Sequence, residues 1–363
     1  MSYSTMRSST TTEESSPRRI HVLGTGNIGA TVAHALAGLP DPIRPRLTLL
    51  LHRKSLLDAW RKRGEKLDVL RYEDGASQPR GGIDVELVEQ QPSENAASAG
   101  NDKIDHLIVS VKAAQTVSAL RPIKDRLGPD STILFLQNGL GSSDEAAEKL
   151  FPTLDTRPRF MQGIVLTGAW TIEPFVVRQA SPGAIFLGIL PRSDKNDVVE
   201  SSRYLSRTLT QAEVLGAKEV EYTDLLQRQL EKLVANCIAN PLTAILNENN
   251  HILVQAEMQP VIRSLIAECA RIIRALPELQ GVPGAQERFA TQALEERLLA
   301  YLPQVQHNIS SMCQDIRAGK KTEIEYINGY LVKRAKELGV PCDLNAMLLQ
   351  MVLTKDALLA ERR

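Results

Sequence analysis

The feature that most constrains the fold of this chain is a glycine-rich turn close to its N-terminus. The turn reads Gly24-Thr25-Gly26-Asn27-Ile28-Gly29 and follows a short apolar run, Arg19–Leu23. A helical pattern comes next, from Thr31 to Leu39. A strand, a tight glycine turn and a helix form the first half of a βαβ unit, and the helix N-terminus favours an anion. All six residues of the turn are therefore predicted to bind the pyrophosphate of a dinucleotide, with an ordinary glycine-rich turn as the alternative.

Other apolar runs predict the rest of a sheet. They lie at Leu47–Leu51, Asp105–Val111 and Ser131–Leu136, and helical patterns separate them. Buried strands that alternate with helices predict a parallel sheet covered on both faces. From Phe160 to Leu190, prolines and glycines divide shorter β-rich runs. We expect these runs to form antiparallel strands at the edge of the sheet.

The second half of the chain has a different character. Helical patterns dominate after Tyr222, and the clearest covers residues 321–338, where apolar residues form one stripe. Thr322 followed by Glu325 predicts a capping box at the start of that helix, and Gly339 predicts its end. This half is therefore predicted to be all-helical.

The chain divides into three parts on these patterns. Its 363 residues suggest two domains. We predict a disordered Ser/Thr-rich tail over residues 1–17, an α/β domain over 18–221 and a helical domain over 222–363. The tail lacks the apolar segment of a secretory signal. A mitochondrial transit peptide stays open as an alternative, although Glu13 and Glu14 count against it.

Composition excludes several classes of partner. Lysine plus arginine number 43, as do aspartate plus glutamate, so no net charge attracts nucleic acid or an anionic membrane. No apolar stretch approaches the roughly 18 residues of a spanning helix. The four cysteines form no CxxC pair, so no metal site is expected. Free thiols suit a reducing compartment, which predicts a cytoplasmic protein that acts on a small molecule, as a monomer or a homodimer.

The end of the second strand predicts which dinucleotide binds. A site for NAD usually carries an acidic residue there, which binds the ribose 2′-hydroxyl. This chain instead reads Leu51-His52-Arg53-Lys54-Ser55. Arg53 can bind a 2′-phosphate through two donors, so NADP(H) is the predicted cofactor. A solvated pair of cations at a strand end is the alternative.

Two further strand ends carry polar side chains. Lys112 follows the run that ends at Val111, and Asn138 follows Leu136 and precedes Gly139. Ligands of open α/β sheets bind outside the carboxyl ends of the strands, which makes both residues candidates. Asn138 before a glycine is also ordinary turn chemistry.

A polar line on a helix predicts the second half of the site. Lys232, Asn236 and Asn240 are four residues apart, and the residues around them are mostly apolar. At this spacing the three side chains share one helix face. They must face a polar cleft or other partners; a solvated edge of an amphipathic helix is the alternative.

A third polar segment, Asn308 to Gly329, completes a resemblance that runs from Ile20 to about Met351. The chain resembles the ketopantoate reductase (2-dehydropantoate 2-reductase) family. The resemblance rests on five motifs in family order: GTGNIG, the Val-Lys112 strand end, Gln-Asn138-Gly-Leu-Gly, Lys232-x-x-x-Asn236-x-x-x-Asn240-Pro-Leu-Thr-Ala, and Ser-Ser311-Met-x-Gln-Asp followed by Thr-Glu323-Ile-Glu-Tyr-Ile-Asn-Gly.

The resemblance implies a fold and a role for each candidate residue. The fold is a Rossmann-type α/β domain joined to an all-helical domain, of the 6-phosphogluconate dehydrogenase-like class, with the active site in the cleft between them. The resemblance implies that Lys232 is the general acid and that Glu323 is a supporting carboxylate that also lies near the cofactor. It implies that Asn236, Asn240 and Ser311 bind the substrate. It further implies that Asn138 and Lys112 contact both nicotinamide and substrate, and that Arg53 contacts the adenosine phosphate. A place in the first turn of the Thr322-capped helix would also suit the charge of Glu323 without any catalytic role.

The implied reaction is the NADPH-dependent reduction of 2-dehydropantoate to pantoate. Two alternatives stay open: a paralogue that reduces another 2-keto acid, and a non-catalytic NADP(H)-binding sensor. A sensor would need the glycine turn and Arg53 but no proton donor, so Lys232 argues against it.

Overall fold

The computed structural model describes residues 18–88, 102–192 and 199–361. The predicted tail over residues 1–17 lies outside these ranges. So does the polar stretch from Gln90 to Asp102, except for Asp102 itself.

An eight-stranded sheet forms the centre of the N-terminal domain. Three more strands form a small separate sheet. In chain order the strands are β1 (Arg19–Leu23), β2 (Arg46–Leu51), β3 (Asp68–Leu70), β4 (Asp84–Leu87), β5 (His106–Val109), β6 (Thr132–Phe135), β7 (Arg159–Val165), β8 (Ala169–Glu173), β9 (Val176–Gln179), β10 (Ile185–Ile189) and β11 (Ala217–Glu219). The large sheet has the order β11-β10-β7-β6-β5-β1-β2-β4, and the small sheet has the order β3-β9-β8.

Parallel pairing dominates the main sheet, as the alternating pattern predicted. β1 pairs in parallel with β2 and with β5, and β6 pairs in parallel with β5 and with β7. The antiparallel pair is β7 with β10. The β-rich runs after Phe160 therefore do contain antiparallel strands, but they do not all lie at the edge of this sheet. β8 and β9 leave it for the small sheet, and β11 lies outside β10.

Twelve α-helices complete the described chain. Five belong to the first domain: α1 (Asn27–Ala37), α2 (Lys54–Lys62), α3 (Thr116–Leu120), α4 (Ser142–Leu150) and α5 (Glu200–Gln211). Seven follow without an intervening strand: α6 (Tyr222–Leu246), α7 (Gln259–Arg274), α8 (Ala285–Arg288), α9 (Thr291–Tyr301), α10 (Ser311–Arg317), α11 (Asn328–Leu338) and α12 (Asp343–Glu361).

Alternate residues of the central strands fill two separate cores. Ile108 of β5 and Leu134 of β6 pack on the face that α1 and α5 cover. Leu107 and Ile133 pack on the opposite face with side chains of α3 and α4. Successive side chains of a strand point to opposite faces, so continuous apolar runs bury both faces of this sheet, as expected.

One predicted helix begins later than expected. Residues 324–326 form a short 3-10 turn, and α11 begins at Asn328 rather than near Thr322. Thr322 does not act as an N-cap, because its hydroxyl and its backbone N–H bind the Asp356 carboxylate of α12. Glu323 therefore lies outside any α-helix. The predicted end is right: Gly339 adopts φ 65° as the C-cap.

Three of the four cysteines lie close together in the helical domain. Cys237 of α6 and Cys269 of α7 are buried in the core of this domain, and Cys342 packs against that core. Within the described ranges, no group of three or more histidine, cysteine or acidic side chains could hold a metal ion. No helix of the described chain is long and apolar enough to span a bilayer.

Candidate active site

Four neighbouring strands bring the predicted N-terminal residues to one edge of the sheet. In the sheet order β6-β5-β1-β2, these strands end just before Asn138, Lys112, Gly24 and Arg53 respectively. The carboxyl ends of parallel strands share one edge, which is where ligands of such sheets bind. The structure therefore places all four positions on that edge.

The three glycines of the turn occupy their positions for different physical reasons. Gly24 has φ 105°, and a Cβ there would lie 2.6 Å from the Val111 nitrogen. A Cβ on Gly29 would lie 1.9 Å from the Gly24 oxygen. Both glycines are thus required by the fold itself. A Cβ on Gly26 would meet no atom of the described chain within 4 Å, so the space beside Gly26 is free for a ligand.

The N-terminus of α1 is open at this turn. Gly26 is the N-cap, and among the described residues no side chain accepts a hydrogen bond from the first helical amides. Thr25 and Ile28 are half-buried beside it. The Asn27 side chain has a structural role, because its Nδ2 donates to the Ala169 oxygen of β8 at 2.8 Å. Open amides at a helix N-terminus form a binding site for an anion.

Arg53 and Lys54 are exposed beyond β2. Arg53 is the N-cap of α2 and has extended backbone geometry. Neither side chain forms an ion pair or a hydrogen bond with another residue of the described ranges. Two free cations at this strand end are available to a phosphate.

Lys112 connects the two domains electrostatically. Its ammonium forms an ion pair with Asp315 of α10 and lies 3.9 Å from the Glu323 carboxylate. The backbone N–H of Ala113 donates to Glu323 Oε1 at 3.0 Å. Glu323 is thus fixed by the N-terminal domain, not by a helix N-terminus as the capping pattern suggested. Burial raises the pKa of Asp315 and of Glu323, and Lys112 opposes both shifts.

Lys232 lies in the cleft between the domains. Its Nζ donates to Asn138 Oδ1 at 2.8 Å and to the Val165 backbone oxygen at 2.7 Å. An ammonium has three donors, so one N–H remains for a ligand. Burial lowers the pKa of Lys232 to about 8, and the Glu323 carboxylate limits the shift. Near neutral pH the amine is protonated, yet it can release its proton.

Two other polar side chains of α6, Asn236 and Asn240, follow Lys232 at intervals of about one helical turn. Asn236 lines the same cleft as Lys232 and Asn138. Asn240 is buried, with 5% of its surface exposed. Neither amide side chain has a hydrogen-bond partner among the residues that the structure describes. Asn236 is only half-buried, and the side-chain polar atoms of Asn240 are not among the fully buried, unpartnered atoms of the described chain, so both amides are available to a polar ligand.

Ser311 is the candidate that the described contacts support least. It is exposed at the first position of α10. The neighbouring Ser310 is the N-cap of that helix, and its hydroxyl is 2.7 Å from Thr243 Oγ1, one turn after Asn240. The start of α10 therefore lies near Asn240, although the Ser311 hydroxyl itself makes no hydrogen bond within the described chain.

Sequence reasoning missed two partners in this site. Asp315 received no role, although it lies inside a quoted motif and pairs with Lys112. The Val165 oxygen, which binds Lys232, is a backbone atom that no side-chain pattern reveals. The position of Asp315 inside that motif was the one signal that the sequence offered.

Comparison with known proteins agrees with this geometry. The family model described as ketopantoate reductase PanE/ApbA matches residues 20–192, and the model of its C-terminal part matches residues 224–356. A probable 2-dehydropantoate 2-reductase of Schizosaccharomyces pombe is 30% identical, over 93% of this chain and 96% of that protein. A ketoisovalerate reductase of Gibberella fujikuroi is 28% identical, over 91% of this chain and 81% of that protein.

A solved structure has the same fold. It is a PanE/ApbA family ketopantoate reductase from Ralstonia eutropha JMP134, with a TM-score of 0.70 and 22% identity over 94% of this chain and 99% of that one. The two family models together cover most of the chain, in the order of its two domains. The chain belongs to the ketopantoate reductase family and is an oxidoreductase that acts on CH–OH groups.

Proposed function

We propose that this protein reduces 2-dehydropantoate (ketopantoate) to (R)-pantoate with NADPH, the step that supplies pantoate for pantothenate biosynthesis. The observation that carries the proposal is the environment of Lys232. Its ammonium is held by Asn138 and Val165, keeps one free N–H and lies beside the unpartnered amide of Asn236. A proton donor beside free amide groups fits a small, polar keto acid.

The N-terminal domain fits a phosphorylated dinucleotide. The open space beside Gly26 and the uncapped amides of α1 suit the pyrophosphate. The free cations Arg53 and Lys54 suit a 2′-phosphate, so the site should bind NADP(H) in preference to NAD(H). Bound NADPH supplies the hydride that the ketone carbon accepts.

Lys232 then provides the proton. Negative charge grows on the ketone oxygen during reduction, and a nearby ammonium stabilises that charge. With its pKa lowered to about 8 by burial, Lys232 can complete the step by donating its proton to the oxygen. The Glu323 carboxylate opposes that lowering and so keeps the amine charged until reduction begins.

The amide groups of α6 bind the rest of the substrate. Ketopantoate has a carboxylate and a terminal hydroxyl as well as the ketone. Asn236 and Asn240 offer both donors and acceptors, and we assign them to these two groups together with Ser311. Lys112 and Asn138 lie at the carboxyl edge of the sheet, where nicotinamide and substrate would meet.

The reduction of ketoisovalerate is the second candidate. The similarity to a ketoisovalerate reductase over most of the chain favours it. Ketoisovalerate lacks the terminal hydroxyl of ketopantoate. A site that hydrogen-bonds a hydroxyl rejects the analogue without it, because its own polar group is left unpaired. The buried amide of Asn240 would impose this penalty.

Steady-state kinetics with NADPH and each keto acid tests the proposal. We expect a much higher kcat/KM for ketopantoate than for ketoisovalerate, and a smaller ratio in Asn240→Ala. Equal use of both substrates by the wild-type protein would favour a broader 2-keto acid reductase. Absence of turnover with either substrate would contradict the proposed reaction.

Compartment and assembly follow as expectations. We propose a cytoplasmic enzyme, with the mitochondrion as the alternative that the tail leaves open, and a monomer or homodimer that needs no partner beyond its small-molecule ligands. Imaging of the full chain beside a chain that starts at Arg18, and light scattering of the purified protein, measure these two properties.

A further inference from the structure

The helix that carries Lys232, Asn236 and Asn240 contains a proline in its interior. Pro241 lies inside the 25-residue helix α6. Proline has no backbone N–H, so it cannot donate to the carbonyl four residues earlier. That carbonyl belongs to Cys237, and Cys237 and Pro241 directly follow Asn236 and Asn240 in sequence. The helix therefore lacks one of its own hydrogen bonds in the segment that carries Asn236 and Asn240.

A side chain from another helix replaces the missing donor. Nδ2 of Asn328, the first residue of α11, donates to the Cys237 oxygen at 2.9 Å. Asn328 is fully buried, with 0% of its surface exposed. An unpaired buried carbonyl is strongly unfavourable, so this bond satisfies the carbonyl that Pro241 leaves free.

The orientation of Asn328 is itself fixed by a buried chain of hydrogen bonds. Its Nδ2 also donates to Asn345 Oδ1 at 2.9 Å, and Asn345 Nδ2 donates to Glu268 Oε1 at 2.8 Å. Glu268 further accepts the backbone N–H groups of Leu344 and Asn345 at the start of α12. Because the Asn345 amide group donates to the Glu268 carboxylate, its oxygen faces Asn328. The Asn328 side chain must therefore direct its NH₂ group to both Asn345 Oδ1 and the Cys237 oxygen, which leaves one orientation for Asn328.

The cost of this arrangement points to its purpose. Asn328 Oδ1 is buried and has no hydrogen-bond partner among the described residues. The structure therefore keeps an unpaired acceptor in the core in order to present two N–H donors. An apolar side chain would avoid that cost but would leave the Cys237 oxygen unpaired.

We propose that Asn328, held by Asn345 and Glu268, is a positioning residue for the substrate amides of α6. This inference rests on the proposed function, in which Asn236 and Asn240 bind the keto acid. The two side chains share a face only while the helix stays regular between them, at a rise of about 6 Å over four residues. Asn328 keeps that segment regular across the break at Pro241, without touching the substrate.

A double-mutant cycle with Pro241 tests the inference. Asn328→Ala removes the donor to Cys237, and we expect the KM for the keto acid to rise about tenfold, because small displacements of binding groups have large kinetic effects. The KM for NADPH should stay unchanged. Pro241→Ala restores a backbone N–H that can donate to the Cys237 oxygen itself. In that background, Asn328→Ala should change the KM for the keto acid far less.

Leu331→Ala is the matched control. Leu331 is fully buried on the same helix, α11, and packs in the core of the helical domain. Its truncation should lower the thermal midpoint without raising the KM for the keto acid, and Pro241→Ala should not reverse its effect. An Asn328→Ala protein with lowered stability but wild-type KM would overturn the positioning role. So would an equal rise in KM with and without Pro241.

A second measurement works without substrate. Hydrogen exchange of the α6 amides around residues 236–241 should accelerate in Asn328→Ala and return towards the parental rate in the double variant. If the protein reduces no keto acid but shows this exchange pattern, the proposed function fails and the structural part of the inference stands. If Asn328→Ala does not fold, Asn345→Ala, which removes only the support of Asn328, should show smaller changes of the same kind. Unchanged exchange and KM in a folded Asn345→Ala protein would then contradict the inference.

Discussion

Lys112, at the end of β5, forms an ion pair with Asp315 of α10 across the two domains. Because burial raises the pKa of Asp315, ionisation of this carboxylate works against folding at neutral pH. Its contact with Lys112 therefore points to function rather than to stability. An ion pair across the cleft holds Lys112 beside Glu323 and the ligand edge of the sheet.

Asp315→Asn tests this relationship. We expect the thermal midpoint to change little, because the removed charge is disfavoured in the folded state and Lys112 keeps the Glu323 carboxylate as a partner. The kcat/KM for the keto acid should nevertheless fall about tenfold, since Lys112 is no longer held in place. Glu295→Gln, which breaks the more exposed ion pair with Arg263 in the helical domain, is the control and should change neither quantity. Loss of stability without loss of kcat/KM would assign the pair a purely structural role.

Gly26→Ala separates ligand binding from folding. Gly26 has φ −75°, which alanine adopts, and an added Cβ would meet no described atom within 4 Å. We expect normal stability and much weaker NADPH binding, because the Cβ would occupy the space of the pyrophosphate. Gly128→Ala, at another glycine with open space around it, is the matched control. Binding by titration calorimetry and the thermal midpoint measure both effects; normal NADPH affinity in Gly26→Ala would place the pyrophosphate elsewhere.

Arg53→Ala tests the cofactor preference. Loss of a charge-assisted hydrogen bond to a phosphate costs about 1.5–3 kcal/mol, which is roughly a 10- to 150-fold rise in the KM for NADPH. The KM for NADH should hardly change, because NADH has no 2′-phosphate. Arg61→Ala, at the other end of α2, serves as control. An equal rise in the KM for NADPH and for NADH would show that Arg53 does not bind the 2′-phosphate.

His21 predicts a loss of stability in acid. Burial, together with the charges of Arg126 and Arg19, lowers the pKa of His21 to about 4, against 6.5 for an ordinary histidine. The unfolded chain therefore binds more protons between these two values. The stability that neutral His21 contributes is complete above pH 6.5 and is lost as the pH falls towards 4. The protonation of His21 alone should therefore lower the free energy of unfolding by about 2 kcal/mol between pH 7 and pH 5.

His21→Leu should reduce that pH dependence. Urea unfolding at pH 7 and pH 5 measures the free energy in both proteins. The buried His106, whose pKa burial also lowers, keeps part of the effect in the variant. An unchanged difference between the two pH values would mean that His21 is not the group that titrates.

The sequence predicted those parts of the fold and site that depend on local pattern. Continuous apolar runs predicted β1, β2, β5 and β6, because strands buried on both faces need them. The glycine turn predicted the start of α1, since Gly24 and Gly29 are fixed by contacts within and next to the turn.

Long-range contacts account for what the sequence did not predict. Thr322 has the sequence of a helix cap, but Asp356, which lies 34 residues later, binds it instead. Asn328 stood in a quoted motif without a role, because its partner is the carbonyl that Pro241 leaves free in another helix. The separate sheet likewise depends on the pairing of β3 with β9, two strands that lie far apart in sequence.

Lys232 gives the most direct test of the chemistry. As the proposed proton donor, it must be protonated to act, and burial lowers its pKa to about 8. The kcat/KM for keto acid reduction should therefore be constant below that pH and fall about tenfold per unit above it. Glu323→Gln should move this decline to lower pH, because the Glu323 carboxylate raises the pKa of Lys232.

Substitution of Lys232 completes the test. Lys232→Ala should lose about 10²–10⁴ in kcat, the usual contribution of a general acid. Its affinity for NADPH should stay, since Lys232 binds Asn138 and Val165 and not the phosphate edge. Lys232→Arg should not restore turnover, because a guanidinium does not release a proton near neutral pH. Asn236→Ala is the contrasting variant: it should mainly raise the KM for the keto acid. All three variants change the same cleft. A folded Lys232→Ala protein with wild-type turnover would mean that another group donates the proton.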